Sequence, residues 1–210
     1  MTQTHILIIH GGMTFRNRKD YLHYLKTKKV SIEPRINWAG DYLEEKLGPK
    51  FKVIRPRMPQ HENARYEEWK IFFERYLPLL KGRFMLIGNS LGGIFLAKYL
   101  SEYKLPRKAL AVYMVCTPFD DTVPTEDLVG GFKLKAKISQ LENNATYTRM
   151  LFSKDDTVVP VSHAKKYAQK LNKTEIHIFS GKNGHFNVAT FPEIVKMIKG
   201  DVKNLKSSTS

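Results

Sequence analysis

Three short segments of this chain hold residues able to act on a carbonyl group. The first is Gly88-Asn89-Ser90-Leu91-Gly92-Gly93, which follows the apolar run 84–87 directly and opens a helical stretch carrying Ile94, Phe95 and Leu100. A strand-to-helix turn this tight holds Ser90 in a strained backbone with its hydroxyl above the sheet. Flanking glycines are needed where neighbouring elements approach too closely for a Cβ. By itself the pattern is weak, because a glycine-rich turn whose serine merely caps the helix gives the same letters. The strand before it and the helix after it favour a nucleophile.

A serine hydroxyl is a poor nucleophile until a base takes its proton. Seven histidines are available. His5 and His177 lie within apolar strand runs and read as structural. His163 falls in the first turn of a helix, and His23 and His61 sit in polar, charged stretches. His185 differs, because it occupies the short loop Gly181-Lys182-Asn183-Gly184-His185-Phe186-Asn187 just after the last strand run. Such a loop can carry an imidazole over a central strand end. The third segment, Ser153-Lys154-Asp155-Asp156-Thr157-Val158-Val159-Pro160, follows the run 147–152. A carboxylate there could accept the Nδ1–H of the base, fixing its tautomer and stabilising the imidazolium. Asp155 and Asp156 both qualify by position; an Asx-type turn accounts readily for one of the pair.

Attack on a carbonyl also needs donors for the oxyanion that develops. The N–H of Leu91 is one. The turn His10-Gly11-Gly12-Met13, after the run 6–9, offers a second from Gly12 or alternatively Met13. Residues beside these turns (Met13, Phe15, Leu91, Phe119, Val158 and Phe186) are pocket-wall candidates by adjacency, with core packing an equal alternative.

The elements that must position these groups are legible as alternation. Of the short apolar, β-branched runs at 6–9, 51–54, 84–87, 109–115, 147–152 and 175–179, most read as continuously apolar, as strands covered on both faces do. Between them, Trp69, Phe72, Phe73, Tyr76, Leu77 and Leu80 form one helical stripe. Ala164, Tyr167, Ala168 and Leu171 form another behind Ser162 as N-cap, and Phe191, Ile194, Val195 and Ile198 a closing one with Pro192 in its first turn. This predicts an α/β fold: a doubly wound, mostly parallel sheet of about six strands with helices on both faces. One domain is expected over residues 1–203, with a frayed tail at 204–210. Two insertions, 14–35 and 119–144, interrupt the alternation; the first delays the helix that should start near Trp38. Both sit after strand ends, where such sheets build their sites.

The order Ser90, Asp156, His185, each behind a successive strand, is the nucleophile–acid–base order of an α/β-hydrolase. The chain resembles that superfamily, and more narrowly its small, cap-less serine hydrolases of the YdeN-like type. The resemblance rests on His10-Gly11-Gly12, the Gly88–Gly93 elbow, Asp156-Thr157-Val158-Val159-Pro160 and Gly184-His185-Phe186-Asn187, which span nearly the whole chain. It implies the acid at Asp156 rather than Asp155, and carboxylester hydrolysis through an acyl-enzyme with no cofactor and no metal. Asn89 stands where this group often has histidine, and the 14–35 stretch is longer than in the compact members.

Composition bounds the alternatives. At 210 residues, with 42% hydrophobic and 26% charged side chains, the chain reads as an ordinary globular protein with no room for a separate cap domain. The single cysteine, Cys116, excludes an internal disulfide and suits a reducing, cytoplasmic setting. The N-terminal apolar run is too short for a secretory signal, and no run approaches the length that spans a bilayer. The sequons at Asn144 and Asn172 are therefore chance matches. A net charge of +15 raises a rival of another class, a basic binding protein on a hydrolase scaffold. Arg16, Arg18, Lys19, Lys26, Lys28 and Lys29 cluster in the first insertion, and Lys133, Lys135 and Lys137 in the second. Basic residues are otherwise spread along the chain, and lysine far outnumbers arginine. With no nucleic-acid motif present, the expected partner is a small acyl ester, with at most weak, non-specific anion binding. A thioesterase or amidase using the same triad is the alternative within enzymology.

Overall fold

Strands that are apolar on both faces can be stable only inside a layered sheet, and the computed structural model builds one. It describes residues 3–33, 37–124 and 126–207. Six strands, β1 (Thr4–Ile9), β2 (Phe51–Ile54), β3 (Phe84–Asn89), β4 (Ala109–Val115), β5 (Ala145–Ser153) and β6 (Glu175–Phe179), form a sheet in the order β2-β1-β3-β4-β5-β6. Every pairing is parallel. Six α-helices accompany it among the described residues, α1 (Arg18–Thr27), α2 (Asp41–Leu47), α3 (Tyr66–Tyr76), α4 (Leu91–Glu102), α5 (Ser162–Ala168) and α6 (Pro192–Ser207), of which α1 buries no residue. Side chains alternate between two cores. Leu7, Ile9, Leu86, Val112, Met114, Met150 and Phe152 pack toward the α3/α4 side. Ile6, Ile8, Met85, Ile87, Tyr113, Val115 and Leu151 pack toward α2 and α6.

The chain order reverses between β1 and β3, and the crevice at such a switch point is where open α/β sheets bind ligands. Register then decides which loops meet there. Ile9 pairs with Gly88, Asn89 with Val115, Val115 with Leu151, and Ser153 with Phe179. The turns after β1, β3, β5 and β6 therefore leave the sheet at nearly one level.

Several local expectations change. Helix α3 ends at Tyr76, short of the Trp69-to-Leu80 stripe, and the chain continues as a 3₁₀ turn over Leu77–Leu79. Pro78 lacks the N–H that an α-helical turn would use. Ser162 is the first residue of α5 rather than its cap, and no side chain caps that helix. The first insertion contains a helix of its own, α1, capped by the Asn17 side chain accepting the Asp20 N–H at 3.0 Å. Trp38 precedes α2 in a turn and is buried. Helix α6 runs on to Ser207, into the expected tail; residues 208–210 of that tail lie outside the described residues.

Helix α6 is fastened to the sheet by charge as well as by packing. Asp201, 2% exposed, accepts from the Tyr113 hydroxyl on β4 and from Arg149 Nη1 on β5, each at 2.5 Å. Removing one partner leaves the others buried and unpaired, which is costlier than never having the pair. Asp201→Ala should lower the unfolding free energy by about 3 kcal/mol, read as a reduced urea midpoint with an unchanged slope.

Candidate active site

The fold holds Ser90 in a strained backbone. The residue carries φ 54° and ψ −118°, a conformation that non-glycine residues rarely adopt. Its N–H donates to the Val115 carbonyl at 2.8 Å, and its own carbonyl accepts from Gly93 and Ile94 at the start of α4. The turn closes this tightly because side chains are missing. A Cβ on Gly92 would overlap the Ile9 carbonyl, and one on Gly88 would overlap the Gly92 carbonyl. Ser90 Oγ emerges 2.8 Å from His185 Nε2, and His185 Nδ1 lies 2.8 Å from Asp156 Oδ2. A carboxylate only accepts, so Nδ1 carries the proton and Nε2 is free to accept from Ser90.

The two adjacent aspartates divide the work of holding His185. Asp156 is buried, and besides the imidazole it accepts the Val158 and Val159 N–H groups at Oδ1, both at 2.9 Å. Asp155 takes the backbone of the loop that carries His185, accepting from Lys182 N–H at 3.0 Å and Gly184 N–H at 2.9 Å, and also from the Ser153 hydroxyl. Those donors hold its carboxyl down to about 2, with the Gly184 N–H the largest cause. The loop itself bends through positive φ at Asn183, Gly184 and Phe186.

Of the two amides considered on the β1 turn, Met13 N–H is spent on the His61 carbonyl at 2.8 Å. Gly12 N–H has no acceptor among the described residues. A Cβ at Gly12 would stand 2.5 Å from the His61 carbonyl and 3.1 Å from Leu91, so only glycine fits there. His10 sets the turn: its Nε2 accepts Met58 N–H at 2.9 Å, leaving Nδ1–H for the Gly11 carbonyl.

A family model described as serine hydrolase matches residues 38–197 of the chain. The chain belongs to the serine hydrolase family. Over 130 residues it is 28% identical to the YdeN protein of Bacillus subtilis (strain 168), covering 61% of this chain and 67% of that one. The crystal structure of the ydeN gene product from B. subtilis superposes with a TM-score of 0.73 at 18% identity, over 96% of this chain and 100% of that chain. A lipase-esterase related protein from Clostridium acetobutylicum ATCC 824 gives 0.60 at 13% identity over 97% and 94%. The Pyrococcus furiosus esterase Pf2001 gives 0.58 at 15% over 97% and 83%. At such identities these structures establish the α/β-hydrolase fold.

The hydrolase opens a cleft of about 620 Å³ above Ser90. Of the wall candidates, Met13 and Phe186 line it. Phe15 instead borders the two grooves beside α1 and packs its ring on Tyr21 and Tyr24. Phe119 packs edge-on to Tyr167, Val158 packs against the α3/α4 core, and Leu91 is buried in it. Sequence adjacency could not tell these apart, since turn geometry decides which way each side chain leaves. The other lining residues were not foreseen: Trp38, His61 and Arg57, Tyr24 and Lys28 of the first insertion, and Glu126 of the second. For Tyr24, Lys28 and Glu126 the signal in the sequence is that both insertions follow strand ends; Trp38, Arg57 and His61 lie outside the insertions and carry none. Of the other histidines, His163 is buried and accepts Phe119 N–H at 3.0 Å, and His5 accepts Lys81 N–H at 3.2 Å.

Cys116, Asp156 and His185 bring one potential metal ligand each within 4.8 Å of one another. Each is already engaged: the Cys116 thiol donates to Asn89 Oδ1 at 3.2 Å, and both imidazole nitrogens are used in the Ser90–Asp156 chain. The donor set fits a proton relay better than an ion.

Burial works against the imidazolium of His185, yet its pKa lies above the ordinary 6.5, with the Asp156 carboxylate that accepts its Nδ1–H favouring the charged ring. Glu126 is another titrating group on the wall. Burial pushes its carboxyl up, His185 pulls it down, and Asp156 adds to the rise. Coupling between charges is reciprocal. Followed by ring-proton NMR, His185 should titrate above 6.5. Asp156→Asn should bring that value down strongly, and Glu126→Gln by a smaller amount in the same direction. A His185 titration at or below 6.5 in the unaltered protein would contradict this electrostatic account.

Proposed function

We propose that the hydrolase cleaves carboxylic esters of small or medium acyl groups through an acyl-enzyme, using Ser90, His185 and Asp156. The observation that carries this reading is the unbroken relay from Ser90 Oγ through His185 to Asp156, with 2.8 Å at each step, starting from a strained serine at a strand-to-helix elbow. Ser90 Oγ attacks the acyl carbon while Nε2 takes its proton. Asp156 holds the ring in the Nδ1–H tautomer and stabilises the cation that results. The carbonyl oxygen, now an anion, is held by the amides of Leu91 and Gly12, the latter supported by its lack of any acceptor among the described residues. The imidazolium returns its proton to the leaving alcohol. Water, deprotonated by the same nitrogen, then releases the acid.

In this reading residues 1–203 act as one domain, with the cleft roofed by the two insertions in place of a separate cap. Tyr24 and Lys28 from one insertion and Glu126 from the other support that arrangement. The free, buried Cys116 suits a reducing, cytoplasmic compartment. No described helix is long and apolar enough to cross a membrane.

Ser90→Ala should lower kcat on an activated ester by on the order of 10⁴-fold with folding intact, and abolish labelling by a fluorophosphonate probe. Asp156→Asn should cost on the order of 10⁴-fold through the wrong tautomer. Esterase activity retained in Ser90→Ala would remove the assignment. A parallel series of esters, thioesters and amides of increasing acyl length separates ester preference from the two sibling chemistries.

A further inference from the structure

Helix α1 lies at the rim of the cleft with no buried residue along its length. It is held by the rings of Tyr21 and Tyr24 against Phe15, with centroids 5.4 and 5.1 Å apart, and by the ion pair of Lys28 with Glu62 at its end. Its outer stripe is apolar where a surface helix should be polar. Leu22 and Leu25 are 39% and 42% exposed, and just beyond the helix Val30 and Ile32 are 84% and 99% exposed. The other large apolar side chains that stand exposed, Ile71, Leu79, Tyr103 and Ile178, are scattered over other elements.

The same segment carries Arg18, Lys19, Lys26 and Lys29, none of which has an ion-pair partner among the described residues. At 100° per residue, Arg18 falls between Leu22 and Leu25, with Lys19 and Lys26 alongside them. Exposed aliphatic side chains ringed by unpaired cations fit one kind of surface. A second copy of this chain would bring two +15 molecules together at their most basic segments. Nucleic acid would engage the cations but leave the four aliphatic side chains in water. An anionic lipid surface takes both, with the apolar tips entering the interface and the lysines meeting headgroups.

We propose that the segment from Arg18 to Ile32 docks the protein on anionic lipid surfaces through the Leu22/Leu25 face of α1 and the Val30 and Ile32 side chains beyond it. Docking does not rest on the proposed ester hydrolysis, and its test keeps the two separate. Sedimentation with vesicles of phosphatidylcholine containing a quarter phosphatidylglycerol should pull down the wild type and Ser90→Ala equally, whereas pure phosphatidylcholine vesicles should not.

Lys26→Gln/Lys29→Gln should weaken partitioning about 25-fold, at about fivefold per charge removed. Leu22→Ser/Leu25→Ser should lose binding. Val30→Ser/Ile32→Ser, which lies outside α1 and leaves it intact, should lose binding with an unchanged far-UV circular dichroism spectrum. Ile71→Ser, a similar change on α3, should bind as the wild type does. Wild type left in the supernatant, Val30→Ser/Ile32→Ser binding undiminished, or tighter binding to duplex DNA that ignores the serine changes would each overturn the proposal.

Discussion

Helix α4 begins directly after Ser90 because the backbones of β1, β3 and the helix meet with no side chain between them. Gly92 lies against the Ile9 carbonyl, and Gly88 against the Gly92 carbonyl. This contact fixes three things together. It turns Ser90 into positive φ, sets α4 against the sheet, and brings the β1 turn with Gly12 alongside Leu91. The strain at Ser90 persists because packing over-determines it: all of α4 from Leu91 to Leu100 is buried. A side chain added at this junction would therefore disturb Ser90, helix and turn as one unit.

Around that junction the site is held by backbone amides more than by side-chain pairs. Asp156 spends one oxygen on two N–H groups of its own turn and offers the other to His185. Asp155 spends its carboxylate on the loop that delivers the imidazole. Neighbouring residues with the same functional group thus act on different targets, one on the ring and one on the loop. The β1 turn is clamped in a similar way, with Met13 exchanging hydrogen bonds with His61 and Ala64.

The two insertions are joined to each other as well as to the core. Thr14 donates to the Asp127 carbonyl at 2.6 Å and accepts Val129 N–H at 3.0 Å, while Arg16 pairs with Asp127. Tyr24 and Lys28 of the first and Glu126 of the second line the cleft. The high positive charge resolves differently from place to place. Arg16 and Lys28 are spent on structure, Arg149 is buried against Asp201 and Glu175, and Arg18, Lys19, Lys26 and Lys29 remain for solvent or a partner. A formal sum over the sequence cannot make that separation.

The strands, their parallel arrangement and the strand-to-helix elbow were legible in the sequence because each is a local or periodic signal. Continuous apolar runs mark doubly covered strands, and Gly-x-Ser-x-Gly between a strand and a helix marks the elbow. Asp156 over Asp155 came from resemblance; geometry supports it by pointing one carboxylate at the ring and the other at the loop. What the sequence could not carry was direction. Whether Gly12 or Met13 keeps a free amide depends on His61, nearly fifty residues away, accepting one of them. That Phe186 faces the cleft while Phe119 and Val158 pack elsewhere depends on the exit angle of each turn. That 14–35 holds a helix with an exposed apolar stripe, and that Glu126 stands beside His185, depends on how two irregular segments pack. Local chemistry and periodicity determine which elements and which reactive groups exist. Long-range contacts with no periodicity decide what surrounds them, and only the folded chain contains those.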